Sequence, residues 1–283
     1  MNLRQVRKKI KTIGNVKKIT RAMELVSAVK MKKSQQEAIE GRPYRETLDV
    51  IIKKITKMID ANYSVLLQEN TAPKRLVILI STNKGMCGSF NYNLLRMCLD
   101  ELKSDNTEYI VLGKKGAYFV SRIGGKIIAD YSNNKPISAV SPIFSLAVSK
   151  FIIKEYSEVV LVYNKFVSAV KYQPVKEVIL PVRLEKEQME MAVEKISENY
   201  QIEPSPEQII DPLLRSFIEE KIRGAIISSE AGEHSARMMA MKNATDNASD
   251  LIYELTLMSN KLRQEKITNE LLDMITAKES VEN

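Results

Sequence analysis

The stretch after Pro212 contains no proline, and it restricts the possible fold more than any other part of the sequence. Apolar or small residues recur there in alternating steps of three and four, at Met241, Ala244, Ala248, Leu251, Leu255, Met258 and Leu262. This spacing is typical of the buried seam of a coiled coil. A helix over residues 213–276 would be about 95 Å long at 1.5 Å per residue, which no single compact domain of this size can bury. Ser205, Pro206 and Glu207 supply a helix start just before it.

The beginning of the chain carries a second seam. Leu3, Val6, Ile10 and Ile13 follow in steps of three, four and three. We expect a further step of three to Val16, a local overwinding, and then a continuation near Thr20, Met23 and Ser27. Gly14 costs about 1 kcal/mol relative to alanine inside a helix. It therefore predicts either a close approach of another group or a bend.

The middle of the chain changes to alternating strand and helix patterns. Five runs rich in β-branched residues predict strands: "KRLVILIST" (74–82), "EYIVLG" (108–113), "KIIADY" (126–131), "EVVLVYNKF" (158–166) and "KEVILPV" (176–182). "NYNLLRMCLDELK" and "PIFSLAVSKFIIKEY" predict helices between them. This alternation indicates a small α/β domain with a mainly parallel sheet that is covered on both faces.

The fold class that follows is mixed α/β. It combines a long antiparallel two-helix coiled coil of the N- and C-terminal helices with a small, Rossmann-like α/β domain inserted between them. We expect the N-terminal coiled-coil helix over residues 1–58, the α/β domain over 73–200 and the C-terminal coiled-coil helix over 206–278. The two chain ends pair because each offers the other a matching seam.

Positive charge is concentrated at one end of the chain. Residues 1–33 hold eleven lysines and arginines and one acid, Glu24, whereas the whole chain has a net charge of +8. The remaining 250 residues therefore have a net charge of about −2. Such a segment indicates an acidic partner, which could be nucleic acid, an anionic membrane or an acidic protein loop. A solvated helix face is the other interpretation.

Three features of the sequence bear on location and redox state. No run of 18 apolar residues predicts a transmembrane helix, and the basic N-terminus lacks the apolar core of a secretory signal. An organelle transit peptide is the alternative interpretation of this basic stretch, although the stretch runs directly into a predicted helix. Two cysteines, Cys87 and Cys98, favour a reducing compartment, with each a buried free thiol rather than half of a disulfide.

Catalytic motifs are hard to find in this sequence. "NKGMCGSFN" (83–91) and "LGKKG" are glycine-containing turns after strands, but neither matches a phosphate-binding fingerprint. His234 is the only histidine, and "EAGEHSARM" lacks the spacing of a zinc protease. The segment "HSARMMAMKNATDNA" (234–248) is rich in methionine and alanine, which indicates an adaptable contact surface that lets another backbone come close. We expect no cofactor and no metal.

Several longer segments resemble one family. "SARMMAMKNATDNA" and "NKLRQEKITNELLDMI" resemble the C-terminal helix of the γ subunits of F-type ATP synthases, and "KKITRAMELVSAVKM" followed by "GRPY" resembles their N-terminal helix. "STNKGMCGSFN", "VYNKFVSAVKYQPVKEVILP" and "YQIEPSPEQIIDPLL" are similar to their central segments. The resemblance runs in order from residue 1 to about 276. One departure is "MITAKES", with Ala277 and Lys278 where the family has a Gly-Ala pair, so the tip could sit differently in its bearing.

The resemblance implies a rotor shaft that is not itself catalytic. Its coiled coil would stand in a ring of alternating α and β subunits, and its α/β domain would sit with the ε subunit on the membrane ring of c subunits. Rotation driven by ion flow would carry each β site through its states, and ATP hydrolysis would turn the shaft in reverse. No nucleic acid and no direct membrane insertion are expected. The implied location is the cytoplasmic face of the bacterial plasma membrane, as a peripheral protein.

The resemblance also assigns partner-binding residues by position. Met23 would face the lever loop of β, and Arg263 and Gln264, with Thr268 and Glu270 one turn on, would engage a catch loop of β. Tyr200 and Glu203 match positions at the c-ring end, and Arg42 and Tyr44 match the foot of the shaft. For these residues the other interpretation is plain coiled-coil surface.

Two other classes remain as alternatives from the residues themselves. The basic first helix and the pI of about 9.2 permit a nucleic-acid-binding coiled coil, although that helix has no aromatic residues for stacking on bases. The α/β domain permits a dinucleotide-binding enzyme, although its glycine fingerprint is missing. Salt-dependent DNA binding would favour the first and NAD(P) binding the second.

Overall fold

The structure is a computed structural model that describes residues 2–58, 63–102, 106–183, 203 and 205–282. The helices are α1 (Leu3–Glu40), α2 (Arg42–Met58), α3 (Phe90–Leu102), α4 (Lys114–Arg122), α5 (Val140–Ile152) and α6 (Pro206–Glu282). The strands are β1 (Lys74–Ile80), β2 (Thr107–Leu112), β3 (Lys126–Asp130), β4 (Tyr156–Ser168) and β5 (Lys171–Leu180). The expected fold class, with long terminal helices and a parallel-dominated central sheet, is confirmed.

The five strands form one sheet in the order β3-β2-β1-β4-β5. The first four are parallel, and β5 returns antiparallel to β4 as a hairpin. All five strands that the sequence predicts are present, with ends that shift by up to five residues at the start of β5. The "LGKKG" segment is a strand-to-helix turn, because it joins the end of β2 to the start of α4. That turn is tight: Gly113 has φ 108°, and a Cβ there would lie 2.2 Å from the carbonyl oxygen of Ser81.

The sheet is covered on both faces, as its apolar strands require. On one face β1 presents Val77 and Leu79 to α3 and α4, and Cys98 lies in this layer. On the other face β1 presents Leu76, Ile78 and Ile80 to a larger core. Residues of α2, α5 and the first part of α6 complete that core, among them Leu48, Ile52, Ile55, Ile143, Phe151, Ile210, Leu214, Ile218 and Ile222. The start of α6 is thus part of the core that surrounds the sheet.

The chain divides into two compact units. One contains residues 29–236, with the sheet and its helices, and the other contains residues 1–28 and 237–283. The helical region expected over 1–58 is divided at Gly41 into α1 and α2. The helix start at Ser205 and Pro206 is confirmed: α6 begins at Pro206, and a hydrogen bond from the Ser205 side chain lowers the pKa of Glu207. Both cysteines are buried and free, as expected.

One buried carboxylate ties together the starting ends of the four parallel strands. Glu108 of β2 accepts hydrogen bonds from Lys74 of β1 at 2.9 Å, Lys126 of β3 at 3.0 Å and the hydroxyl of Tyr156 of β4 at 2.7 Å. Its side chain is 6% exposed. Burial alone would raise the pKa of Glu108, but these three donors outweigh burial and lower it to about 2.

We predict that Glu108→Gln lowers the free energy of unfolding by about 1–3 kcal/mol at pH 7, because it removes charge-assisted hydrogen bonds from a buried site. Since the folded pKa lies below the unfolded one, the contribution is complete above about pH 5 and is lost as the pH falls toward 2. Denaturant unfolding of both proteins from pH 7 down to pH 3 measures this difference. Glu46→Gln is the control, because the Arg42–Glu46 pair is mostly exposed and contributes little. Equal losses in the two variants would contradict the role of Glu108.

Candidate functional site

The unit formed by both chain ends holds one contact that fixes its helix pairing. The hydroxyls of Thr20 in α1 and Thr245 in α6 lie 2.7 Å apart, and both residues are buried. Residues of α6 remain at least partly buried as far as Leu262, whereas residues 263–277 are all exposed. If α1 and α6 run in opposite directions from the threonine pair, Leu3, the first residue of α1, comes opposite Leu262. The end of burial therefore coincides with the end of the partner helix, as an antiparallel pair requires.

The seam of α1 is more regular than the sequence pattern suggests. A line of buried and half-buried positions follows in steps of three and four, namely Leu3, Val6, Ile10, Ile13, Lys17, Thr20, Glu24 and Ser27. Gly14, Met23 and Ala28 beside this line are half-buried as well. The expected overwinding at Val16 is wrong, because Val16 is 46% exposed and Lys17 takes the position. A lysine can do so because its aliphatic stem packs while its ammonium stays in water. Nothing described lies within 4 Å of a Cβ at Gly14, so of the two expected alternatives the close approach is wrong and the bend stays a prediction.

The seam of α6 departs from the prediction at two of its seven positions, whereas the predicted Ala244 is half-buried. Met241, Ala248, Leu255 and Leu262 lie in it as expected, but Leu251 and Met258 are 47% and 46% exposed. Thr245, Ile252 and Ser259 form the alternate line instead. The apolar side chains misled the prediction, because several buried positions are occupied by small hydroxyl residues. Thr20, Ser27 and Thr245 are all less than 9% exposed, and their small size favours a close approach of the two helices.

The exposed end of α6 carries four of the predicted partner-binding residues. Arg263, Gln264, Thr268 and Glu270 are exposed on two successive turns. Thr268 donates to the carbonyl of Gln264 at 3.0 Å, and Glu270 pairs with Lys266 at 3.4 Å. Apolar side chains are also about half exposed along this segment, namely Ile267, Leu271, Leu272, Met274 and Ile275. A helix end of this composition has the character of a contact surface.

The other predicted site residues are dispersed. Met23 is half-buried on α1, and counting from the threonine pair places it opposite Lys242, about 30 Å along α6 from Arg263. Glu203 is exposed, and Tyr200 lies outside the described residues. Arg42 and Tyr44 are both exposed at the start of α2, where the guanidinium of Arg42 donates to Glu46 at 2.6 Å.

A cavity of about 610 Å³ lies beside Arg42 in the sheet-containing unit. Charged side chains of both signs line it, among them Arg45, Asp49, Lys165 and Lys221, with Phe166 and Phe217 as apolar walls. Burial raises the pKa of Asp49, partly offset by Lys221 and Lys53. Within the described residues no cluster of acidic, histidine or cysteine side chains could hold a metal ion. None of the described helices is both long enough and apolar enough to cross a membrane.

The place where Rossmann-like domains bind dinucleotides is filled by the chain itself. In such sheets the ligand lies at the carboxyl ends of the strands where the strand order reverses, which here is between β1 and β4. Phe90 and Cys87 follow β1, and they pack there with Ala236 of α6 and Tyr172 of β5. Sequence reasoning missed this contact, although Gly232 inside a predicted helix was a signal for it. The arrangement favours a stalk protein over a dinucleotide-binding enzyme.

Comparison with known proteins agrees with that class. A family model described as ATP synthase matches residues 2–281. The ATP synthase gamma chain of Akkermansia muciniphila is 36% identical, with 99% of each chain covered. That of Clostridium perfringens strain SM101 is 35% identical, with 98% of each chain covered.

Solved structures share the fold at lower identity. A chain of the Euglena gracilis mitochondrial ATP synthase (OSCP/F1/c-ring, rotational state 3) matches with a TM-score of 0.70 and 19% identity, covering 99% of this chain and 94% of that one. A chain of the Tetrahymena thermophila mitochondrial ATP synthase central stalk/c-ring matches with a TM-score of 0.58 and 24% identity, covering 80% and 99%.

This chain therefore belongs to the ATP synthase family, among its gamma chains. The subunit role is that of the central rotor shaft, which couples rotation to catalysis but is not itself catalytic.

We predict that the seam defined by Ile252 governs the pairing of the helices. Ile252→Ala should lower the stability of this unit by about 1 kcal/mol because it removes partly buried methyl groups, whereas Leu251→Ala should change it by less than about 0.5 kcal/mol. Thermal unfolding followed by circular dichroism compares the two neighbours, which differ little in volume. If Leu251→Ala lowers the stability of this unit more than Ile252→Ala does, the prediction is wrong and Leu251 is the seam residue, as the sequence pattern suggested.

Proposed function

We propose that the helices at the two chain ends stand inside a ring of α and β subunits, and that the end of α6 is a bearing surface. The observation that carries this proposal is the exposure of residues 263–277, which include five large apolar side chains. Contiguous apolar surface of this kind favours a protein partner. Arg263, Gln264, Thr268 and Glu270 add hydrogen-bonding groups that can be re-paired at each step of rotation.

The charge of α1 supports an acidic partner for the same unit. Arg4, Arg7, Lys8, Lys9, Lys11, Lys18 and Arg21 are exposed, and Arg21 alone among them forms an ion pair in the described structure, with Glu24. Exposed ion pairs contribute roughly 0–1 kcal/mol each, so contacts between this face and an acidic loop of β can be broken and remade. We place Met23 at such a contact.

We further propose that the α/β domain binds the ε subunit and the c ring. Tyr200 and Glu203 would lie at the c-ring end, with Arg42 and Tyr44 at the foot of the shaft. The two solved structures that share this fold are described as assemblies that contain a c-ring. The proposed location is the cytoplasmic face of the bacterial plasma membrane, as a peripheral subunit without direct membrane insertion.

Co-expression with the α and β subunits of the same source tests this function. We expect a complex with one copy of this chain per three αβ pairs and with steady ATP hydrolysis. If the chain elutes separately from the α and β subunits, and their rate of ATP hydrolysis is the same with and without it, the proposed assembly is wrong. Salt-dependent DNA binding by the basic α1 would then be the next measurement.

We predict that Arg263→Ala/Gln264→Ala weakens ATP hydrolysis by the complex about tenfold, because two polar contacts of the bearing surface contribute roughly 1 kcal/mol or more together. Steady-state hydrolysis of the purified complex is the measurement. Asn260→Ala/Lys261→Ala is the matched control, since it removes one amide and one positive charge from exposed positions a turn away. Equal activity of the two double variants would contradict the assignment of Arg263 and Gln264.

A further inference from the structure

A face of small residues on α6 is seated at the carboxyl end of the sheet. Gly232 faces the ring of Phe90 so closely that a Cβ there would lie 3.0 Å from the ring carbon Cε2. The same Cβ would lie 3.7 Å from the Cβ of Tyr172 in β5. Ser228, Gly232 and Ser235 follow at intervals of four and three and so share one side of the helix.

Phe90 is held rigidly from the sheet side. It is fully buried, and its carbonyl accepts a hydrogen bond of 3.0 Å from the side-chain amide of Asn164 in β4. Its ring is tilted by 56° against that of Tyr172, with 5.0 Å between the centroids. The hydroxyls of Tyr172 and Ser89 are 3.1 Å apart. The ring is therefore fixed by both β4 and β5, and it forms a wedge against the backbone of α6.

Two hydrogen bonds join α6 to the β4–β5 hairpin on either side of this wedge. The backbone N–H of Phe166 donates to the hydroxyl of Ser228 at 2.9 Å. The hydroxyl of Ser235 donates to the carbonyl of Ala169. The two serines are seven residues apart, which is about 10 Å along the helix. Together the bonds resist sliding of α6, while the wedge resists its rotation about its own axis.

A glycine in the interior of a helix weakens that helix relative to alanine. Gly232 is therefore a local cost, and the close approach of Phe90 explains why a side chain is disfavoured there. Gly224, two turns earlier on α6, differs: a Cβ there would lie 3.7 Å from the nearest atom, on the flexible side chain of Arg45. The two glycines thus offer a matched pair on one helix.

We propose that this contact, formed by Phe90, Tyr172 and Asn164 with Ser228, Gly232 and Ser235 of α6 and named here the α6 joint, transmits torque between the α/β domain and the C-terminal helix. Gly232 and Phe90 are its positioning residues. The proposal rests on the rotor function. It adds that torque reaches the shaft through this side-chain contact as well as through the covalent continuity of α6. The contact lies at the carboxyl ends of β1 and β4, where Rossmann-like domains bind their dinucleotides.

The complete ATP synthase, reconstituted in lipid vesicles with Gly232→Val in this chain, tests the joint. The Cβ and the two methyl groups of valine would clash with the ring of Phe90 and should displace α6 from the sheet. We expect the number of coupling ions transported per ATP hydrolysed to fall by about fivefold or more, while the rate of hydrolysis stays within about twofold of the wild type. Gly224→Val is the control for the lower helix propensity of valine, and it should keep the wild-type ratio.

Two further variants separate coupling from folding. Adding Phe90→Leu to Gly232→Val shortens the wedge and should restore part of the lost ratio. Ser235→Ala removes one hydrogen bond without adding volume, and it should lower the ratio by about twofold, which keeps the test possible if Gly232→Val does not assemble. The proposal is overturned if the variants that assemble transport as many coupling ions per ATP as the wild type, or if ion transport and hydrolysis fall in equal proportion. If the wild-type enzyme hydrolyses ATP without transporting any ions, the rotor function itself is wrong.

Discussion

The burial of α6 is the constraint on which the rest of the structure depends. This helix runs from Pro206 to Glu282 without a break, and no single apolar core accommodates that length. Its first part completes the core around the sheet, through residues such as Ile210, Leu214 and Ile218. Its middle part pairs with α1 at Thr20 and Thr245. Residues 263–277 are exposed within the described chain. Each part therefore has a different environment, and the proposed function assigns them to a driven domain, a shaft and a bearing surface.

The interactions along α6 differ in the same order. Around the sheet they are apolar and extensive, and at the joint the wedge of Phe90 adds shape to them. In the seam small hydroxyl residues allow the two helices to approach without large interlocking side chains. At the end of α6 the available contacts are polar groups and half-exposed apolar groups. Such groups form weak individual contacts, and weak contacts are what a surface needs if it must be released at every step of rotation.

Much of this could be predicted from the sequence, and the failures have separate causes in the seam and at the joint. The five strands, the helix start at Pro206 and the buried thiols follow from local patterns that tertiary packing reinforces. The seam was misplaced at Val16 and Met258 because apolar type was used as a proxy for burial, whereas Lys17 and Ser259 are the seam positions. At Leu251 it was misplaced because the neighbouring Ile252, which is the seam position, is equally apolar. The joint between Phe90 and Gly232 was missed because it brings together residues 142 positions apart. No local pattern encodes such a pair.

Single-molecule rotation of the complex tests the account most directly. With the α and β ring fixed to a surface, a bead attached through Ser121→Cys on the exposed end of α4 reports the motion of the α/β domain, and the two native thiols are buried and protected from labelling. If this chain is the rotor shaft, ATP drives rotation of the bead in one direction, with three pauses per turn to match three αβ pairs. Undirected fluctuation of the bead during continued ATP hydrolysis would contradict it.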